Sequence, residues 1–316
     1  MAVNKQLNMQ VTDRETILAP LQELNLMDDF MFDVATADFE TFQIIIELSL
    51  GIRLKGLKWK EGQRVVHNLP GKRGIRMDFS AEDLDGNLFD VEMQKQNEGN
   101  IPKRTRFYQA LQDAPILKSG EKGFDNLHPS VFVMICGFDL FGYGLYQYTF
   151  ENTCAELPAL SLGDGVRKII LNTRGTNDAD VSKELISFLH YVEHSNQQPL
   201  PEDCSERLAR LHKKIAEIKS SVEVGVSYMK MEERDRLIEE KGMQRGLKKG
   251  ELLLLISQIH KKVVKGKPLS QIAEELEESP DAIQSMYDII AANPQKEDEE
   301  IFNLLENAET SNTENL

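Results

Sequence analysis

The feature that most constrains the fold is a pair of alternating runs joined by a short turn. Apolar residues occupy every second position, at Ile75, Met77, Phe79 and Ala81 and again at Phe89, Val91 and Met93. Because successive side chains of a strand point to opposite faces, each run predicts a half-buried β-strand. Between them lies Leu84-Asp85-Gly86, whose glycine can adopt the left-handed conformation of a three-residue loop with a bulge. The sequence therefore predicts a β-hairpin.

The length of this turn decides which residues of the hairpin face each other. A three-residue loop pairs odd positions with odd ones and keeps the apolar side chains on one side, whereas a two-residue loop would separate them. In this register Asp78 lies directly opposite Glu92, on the polar face that also carries Asp90 and Gln94. Opposed like charges destabilise a sheet unless something neutralises them, and Mg²⁺, which prefers oxygen ligands, would do so. The alternative is a solvated polar face without an ion, which is the more common origin of such a short pattern.

The elements around the hairpin mix helices and strands, which predicts an α/β core. Apolar residues at three- and four-residue steps indicate an amphipathic helix over Asp38 to Leu50. A second helix is expected at Lys103 to Asp113. Further strands are expected near 131–135, 145–150 and 168–171.

Beyond Asp180 the pattern becomes helical, and the chain divides into five predicted regions. Near-heptad spacing from Leu208 to Met229 indicates a short helical pair or coiled coil, and Gly242, Gly246 and Gly250 favour either close helix packing or a hinge. The regions are a flexible N-terminus at 1–19, an α/β core at 20–180, a helical or short coiled-coil region with the glycine-stepped helix at 181–260, a small helical pair at 261–295 and a disordered acidic tail at 296–316.

Charge and composition restrict the class of function. The net charge of -15 argues against a protein that coats nucleic acid, so any DNA contact must be local. The segment from Arg53 to Arg76 is a local basic patch. Three scattered cysteines suggest the reducing cytoplasm rather than a disulfide framework. The apolar stretch Val131 to Phe150 contains Asp139 and three glycines, which fits two buried strands better than a membrane helix.

Six short segments follow one another in a recognisable order over residues 20–180. They are Leu26 to Phe32, Arg76 to Asp78, Gly86 to Gln94, Pro102 to Leu111, Phe138 to Phe141 and Leu171 to Gly175. In residues and in order they resemble the recombination-promoting nuclease and transposase family of the PD-(D/E)XK nuclease superfamily. The resemblance implies an α/β, restriction-endonuclease-like core with a C-terminal helical region that cleaves DNA phosphodiester bonds at a divalent-metal site.

The resemblance also implies a set of site residues. Asp78 and Glu92 would be catalytic and would bind the metal together with the backbone carbonyl of Met93. The ion would be Mg²⁺, with Mn²⁺ or Ca²⁺ as alternatives. Gln94 stands at the third catalytic position, where the superfamily has lysine. This departure matters because an ammonium group can stabilise charge, whereas a neutral amide can only orient other groups by hydrogen bonds.

Other residues extend this candidate site. Glu47, late in the first predicted helix, is a candidate third acid, and an exposed helix-end residue is the alternative. Lys103, Arg104, Arg106 and Tyr108 are candidates for DNA binding, since Arg104 and Tyr108 share one helix face at i, i+4. For Lys103 and Arg106 the alternative is solvated helix charge.

Three functions remain open from the sequence. The leading hypothesis is a metal-dependent DNA endonuclease in recombination, mobile-element biology or phage defence. The second is a catalytically weak or inactive nuclease-fold protein that acts as a DNA-binding or oligomeric scaffold. The third is a restriction-type enzyme with strict sequence choice. The partner is DNA, with homo-oligomer formation through the C-terminal helices as a further expectation and no membrane association.

Overall fold

The computed structural model describes residues 14–59, 65–66, 75–76, 79–114, 123–125, 127–197 and 200–313. The chain forms two compact units, Met1–Met229 and Lys230–Leu316. None of the described helices is both long and apolar enough to cross a membrane. The predicted α/β class with a helical C-terminal region is confirmed by the elements of the two units.

The first unit is built on a mixed six-stranded sheet. Its strands are β1 (Leu57–Trp59), β4 (Phe79–Asp83), β5 (Leu88–Gln94), β6 (Ser130–Cys136), β7 (Gln147–Phe150) and β8 (Val166–Asn172), and a separate ribbon pairs β2 (Val65–Val66) with β3 (Ile75–Arg76). The strand order is β1-β4-β5-β6-β8-β7. The pairs β5–β6 and β6–β8 are parallel and the others antiparallel.

Helices cover both faces of this sheet. They are α1 (residues 14–23), α2 (Asp29–Thr36), α3 (Phe39–Leu50), α4 (Ile101–Asp113), α5 (Lys183–His194) and α6 (Glu206–Lys219). The side chains of α2, α3, α5 and α6 form the main core with one face of the sheet, and α4 packs on the other face. Asp38 caps α3 by accepting a hydrogen bond from the amide of Thr41, and Gly51 ends it at a φ of +65°.

The predicted hairpin is confirmed in both its turn and its register. The described pairs run from Phe79 opposite Val91 to Glu82 opposite Leu88, so odd positions face odd ones. Gly86 has a φ of +88°, as the three-residue loop requires. Asp78 lies outside the described residues, so its position opposite Glu92 stays a prediction.

The prediction that the second hairpin strand is half-buried was wrong. Every residue of β5 from Leu88 to Met93 is buried, including Asp90 and Glu92. The reason is tertiary: β5 lies between β4 and β6 in the sheet, and helices cover both of its faces. These two acids are therefore not on a solvated face, whereas the presence of an ion beside them stays a prediction.

The near-heptad run from Leu208 belongs to the core of the first unit and is not a coiled coil. Leu208, Leu211 and Ile215 on α6 are buried against the same cluster as α3 and α5. The predicted boundary at residue 180 therefore falls inside a compact unit, which continues to Met229.

The second unit is a small helical bundle. The end of α7 (Val222–Val263) packs with α8 (Leu269–Leu276), α9 (Pro280–Ala292) and α10 (Asp298–Thr313) around a separate apolar cluster. The prediction of a disordered tail at 296–316 was wrong for α10, because Ile301 and Phe302 are buried in that cluster.

Two other predictions need correction or remain open. Residues 14–19 of the predicted flexible N-terminus belong to α1. Gly242, Gly246 and Gly250 lie within the continuous helix α7, so they form no hinge, and an added Cβ at each would meet nothing within 4 Å in the part of the chain that the structure describes. Their role in packing against a second chain stays a prediction.

Candidate active site

Glu92, Met93 and Gln94 end the central strand β5 and point to alternate faces of the sheet. Met93 packs its side chain into the main core, together with Phe89 and Val91. Glu92 points to the other face, where its neighbour on β6 is Met134, part of the cluster under α4. The candidate site therefore lies between β5 and α4. Binding of metal by the carbonyl of Met93 stays a prediction.

The helix α4 is positioned by its apolar residues. Ile101 and Tyr108 are buried on the sheet, and the ring of Tyr108 meets that of Phe132 edge-on at a centroid distance of 6.2 Å. Asn100 precedes the helix and Pro102 lies in its first turn, where the missing amide of proline leaves no hydrogen bond unmade. This packing brings the next turn of α4 over the end of β5.

Arg104 projects from α4 into the candidate site. Its guanidinium donates a short hydrogen bond to the side-chain oxygen of Gln94. Its Nη2 lies 3.9 Å from Oε2 of Glu92, and its Nη1 lies 3.8 Å from a carboxylate oxygen of Glu98. The group also lies over the ring of Tyr108, 5.9 Å from the ring centre. A permanent positive charge thus stands beside Gln94.

This geometry bears on two of the DNA-binding predictions. Arg104 faces Gln94 and Glu92, so it lies within the candidate site, and its contact with DNA stays a prediction. Tyr108 is buried and only 7% exposed, so its position gives no support to a phosphate contact. Lys103 and Arg106 are exposed on α4 and stay candidates for DNA binding.

The structure does not bring Glu47 together with Glu92. Glu47 is buried on α3, at the opposite face of the sheet, and one of its oxygens accepts hydrogen bonds from Gln43 and from the amide of Leu54, both at 3.0 Å. Its other oxygen lies 3.7 Å from Arg207 on α6. The alternative of an exposed helix-end residue was wrong as well, because helix packing encloses the carboxylate.

Asp90 is a residue that the sequence-based site left out. It is completely buried on β5, two residues before Glu92 and on the same face, opposite Ser80 of β4 and Phe132 of β6. Aspartate is disfavoured in strands, so an aspartate in a central strand was itself a signal. Two carboxylates of one strand therefore line the region under α4.

Cys136 borders the site but is unsuited to binding an ion there. It pairs with Gln94 across β5 and β6. Burial raises the pKa of its thiol to about 12, against a smaller lowering by the charge of Arg104. Sulfur is a soft donor whereas Mg²⁺ prefers oxygen ligands, so Cys136 does not suit the proposed ion.

The donor groups at this face fit a hard divalent cation. Carboxylate oxygens are the ligands that Mg²⁺ prefers, and Mg²⁺ usually needs only one or two of them together with water. Within the ranges that the structure describes, no group of three or more His, Cys, Asp or Glu residues could hold a metal ion. The predicted site also requires Asp78, which those ranges do not include.

Comparison with known proteins identifies a family. A family model described as "PD-(D/E)XK nuclease family transposase" matches residues 54–247. This range contains β5, α4 and the side chains of Glu92, Gln94 and Arg104. No curated protein and no solved structure matches the chain.

Proposed function

The chain belongs to the PD-(D/E)XK nuclease family transposases, and from this we propose that it is a divalent-metal-dependent DNA endonuclease. It would hydrolyse phosphodiester bonds in recombination, mobile-element or phage-defence processes. The family supports a nuclease with DNA as substrate. The metal dependence and the endonucleolytic mode are the proposal.

One observation carries this proposal: two buried carboxylates, Asp90 and Glu92, share the face of β5 that lies under the partly buried Arg104. A buried carboxylate is costly unless it is paired or binds a cation. Both acids lie in the segment that the family model matches, and their burial beside Arg104 supports a functional role for them.

The residues of the chain have distinct roles in this proposal. Glu92 and Asp78 would hold the cation through their carboxylate oxygens. When bound, such an ion polarises the scissile phosphate and lowers the pKa of the attacking water. Arg104 would provide the positive charge that lysine provides elsewhere in the superfamily, and the side-chain oxygen of Gln94 would hold that guanidinium in place.

A second candidate is the inactive or weak scaffold. The observation in its favour is that Glu92 is only 3% exposed and that Arg104 closes over it. In that case the acids and the arginine form a structural ion cluster, and the helices of the C-terminal region perform the function.

The proposal is tested by nicking of supercoiled plasmid with the full chain. We expect conversion to nicked or linear DNA in Mg²⁺ or Mn²⁺ and none in EDTA, because the acids alone cannot activate water. The activity should elute with the protein during size-exclusion chromatography. Absence of cleavage with every divalent ion, or cleavage that EDTA does not affect, would contradict the proposal.

Replacing Gln94 by lysine separates the two candidates. The variant would restore the superfamily's residue but would place an ammonium group against the guanidinium of Arg104. We expect cleavage to fall by at least about tenfold, because close like charges cost several kcal/mol. Gln96→Lys adds the same charge at an exposed position and should change the rate by less than about twofold. A large gain of cleavage by Gln94→Lys would instead support a weakened, scaffold-like descendant.

A further inference from the structure

A groove of about 330 Å³ lies beside the candidate active site on the same face of the sheet. Ile101, Pro102 and Thr105 of α4 form one wall. Strands β7 and β8 form the floor, and the loop from Phe138 to Gly144 forms the other wall through Leu140 and Phe141. The size is at the small end of the range for ligand pockets, roughly 300–1,000 Å³.

The far wall of the groove presents aromatic rings in a fixed arrangement. Phe141 contacts Tyr148 and Phe150, with ring centres 4.8 and 5.2 Å apart. Phe150 is 46% exposed although it lines an apolar surface. The conformation of the loop is held by Asp139, whose carboxylate accepts hydrogen bonds from the amides of Phe141, Gly142 and Gly144 and from the hydroxyl of Tyr148. This wall is therefore preorganised.

One cation, Lys168, lines the groove, and a second, Arg106, lies near it. Lys168 lies on β8 directly opposite Phe150 and lines the cavity. Arg106 is one helical turn beyond Pro102 on α4. Burial, and to a smaller extent the charge of Arg106, lowers the pKa of the Lys168 amine. Neither forms an ion pair with any residue that the structure describes. The acid that lines the groove, Glu151, is neutralised by an ion pair of 2.8 Å with Arg167.

The groove and the candidate active site share one helix. Thr105 lines the groove, and the adjacent Arg104 contacts Gln94 and Glu92. The floor of the groove includes Ile170, which pairs with Met134, the neighbour of Glu92. A DNA strand that reaches Glu92 would therefore pass close to the groove.

We propose that this groove binds one unstacked nucleotide of the DNA, with its base against Phe141 and Phe150 and its phosphate at Lys168 and Arg106. The identity of the ligand as DNA rests on the proposed function. The chemistry of the groove selects a nucleotide because every base has a face that stacks on aromatic rings, and a phosphate complements the positive charges of Lys168 and Arg106. The preferred substrate would then be DNA with a bulged, flipped or single-stranded nucleotide near the cut.

The test is binding of fluorescent duplexes in EDTA, where no cleavage occurs. One duplex is fully paired, one carries a single bulged nucleotide, and one carries an abasic residue at the bulge. We expect the bulged duplex to bind at least about fivefold more tightly than the other two, which is the lower range for stacking of one base on aromatic side chains. Equal affinity for all three duplexes would overturn the proposal, and so would equal affinity for the bulged and abasic ones.

Variants localise the effect to the groove. Phe141→Ala and Lys168→Gln should each lose the preference for the bulged duplex. Tyr143→Ala, in the same loop but 80% exposed and outside the groove, should keep it. Phe141→Leu retains the apolar contacts without the aromatic face, so loss of the preference in this variant excludes mere unfolding of the loop. A preference that survives in both Phe141 variants would contradict the assignment.

Failure of this inference and failure of the proposed function give different results. If the protein nicks plasmid but shows no preference for the bulged duplex, the proposed nuclease function stands and the proposed nucleotide binding in the groove is refuted. If the protein prefers the bulged duplex but does not cleave with any divalent metal ion, nucleotide binding in the groove stands and the proposed nuclease function is refuted.

Discussion

Replacement of Glu92 by glutamine is expected to lower the rate of plasmid nicking by at least about 1,000-fold. Glutamine has nearly the same shape as glutamate, so the packing between β5 and α4 should be retained. What changes is the negative charge, which the proposed cation needs and which Arg104 faces at 3.9 Å. Rates should be measured at saturating Mg²⁺ so that weaker metal binding is separated from slower chemistry.

The hairpin itself offers a matched control for this variant. Asp85 lies in the turn between β4 and β5, is exposed and forms a surface ion pair of 2.8 Å with Lys55. Asp85→Asn removes the same charge from the same hairpin and should change the rate by less than about twofold, because exposed ion pairs contribute little. Asp78→Asn is expected to resemble Glu92→Gln. Equal cleavage by wild type and by the Asp78 and Glu92 variants would refute the site.

Local chemistry explains why the hairpin could be predicted. The turn at Gly86 and the alternation of apolar residues are both readable within twenty residues, and together they fix the register. The described pairs from Phe79–Val91 to Glu82–Leu88 follow that register. The prediction worked because turn length and side-chain period pointed to the same pairing.

The surroundings of the hairpin could not be predicted in the same way. Alternation shows that Glu92 and Val91 face opposite sides of the sheet, but not which element covers each side. That depends on the parallel pairing of β5 with β6 and on the docking of α4, both contacts between segments distant in sequence. For the same reason the sequence predicts Arg104 as a DNA-binding residue but does not reveal its contact with Gln94.

Two helical patterns had more than one physical meaning. The spacing of Leu208, Leu211 and Ile215 suits either a coiled coil or a helix that packs on a core, and only the presence of α3 and α5 decides between them. In the acidic tail, Ile301 and Phe302 are too few for a reliable signal. They are buried because the remaining helices of the second unit offer an apolar cluster.

Replacement of Arg207 by alanine is expected to destabilise the first unit by about 3–5 kcal/mol, because it leaves the buried Glu47 and the partly buried Glu184 without their cation. Arg207 lies on α6 and is 9% exposed. It donates hydrogen bonds to Glu184 of α5 and lies 3.7 Å from a carboxylate oxygen of Glu47 on α3. It also donates to the carbonyl oxygens of Glu47 and Ile52. One side chain therefore connects three helices and the loop after α3.

The measurement is urea unfolding followed by the fluorescence of the single tryptophan, Trp59, which lies in the first unit. Arg210 provides the control on the same helix. It forms an exposed ion pair with Glu40, and Lys214 can still neutralise that acid at 2.8 Å. Arg210→Ala should cost less than about 1 kcal/mol. Similar losses for the two arginine variants would show that burial of the Arg207 cluster contributes little.

The same cluster decides the role of Glu47. If its carboxylate serves to hold Arg207, Glu47→Gln should leave the rate of plasmid nicking within about twofold of wild type. The amide oxygen of glutamine can still accept from Gln43 and from the amide of Leu54. In the Arg207→Ala background, Glu47→Gln should recover part of the lost stability, since the uncompensated buried charge is removed. A loss of cleavage in a folded Glu47→Gln variant would restore Glu47 as a third acid of the site and contradict the structural role.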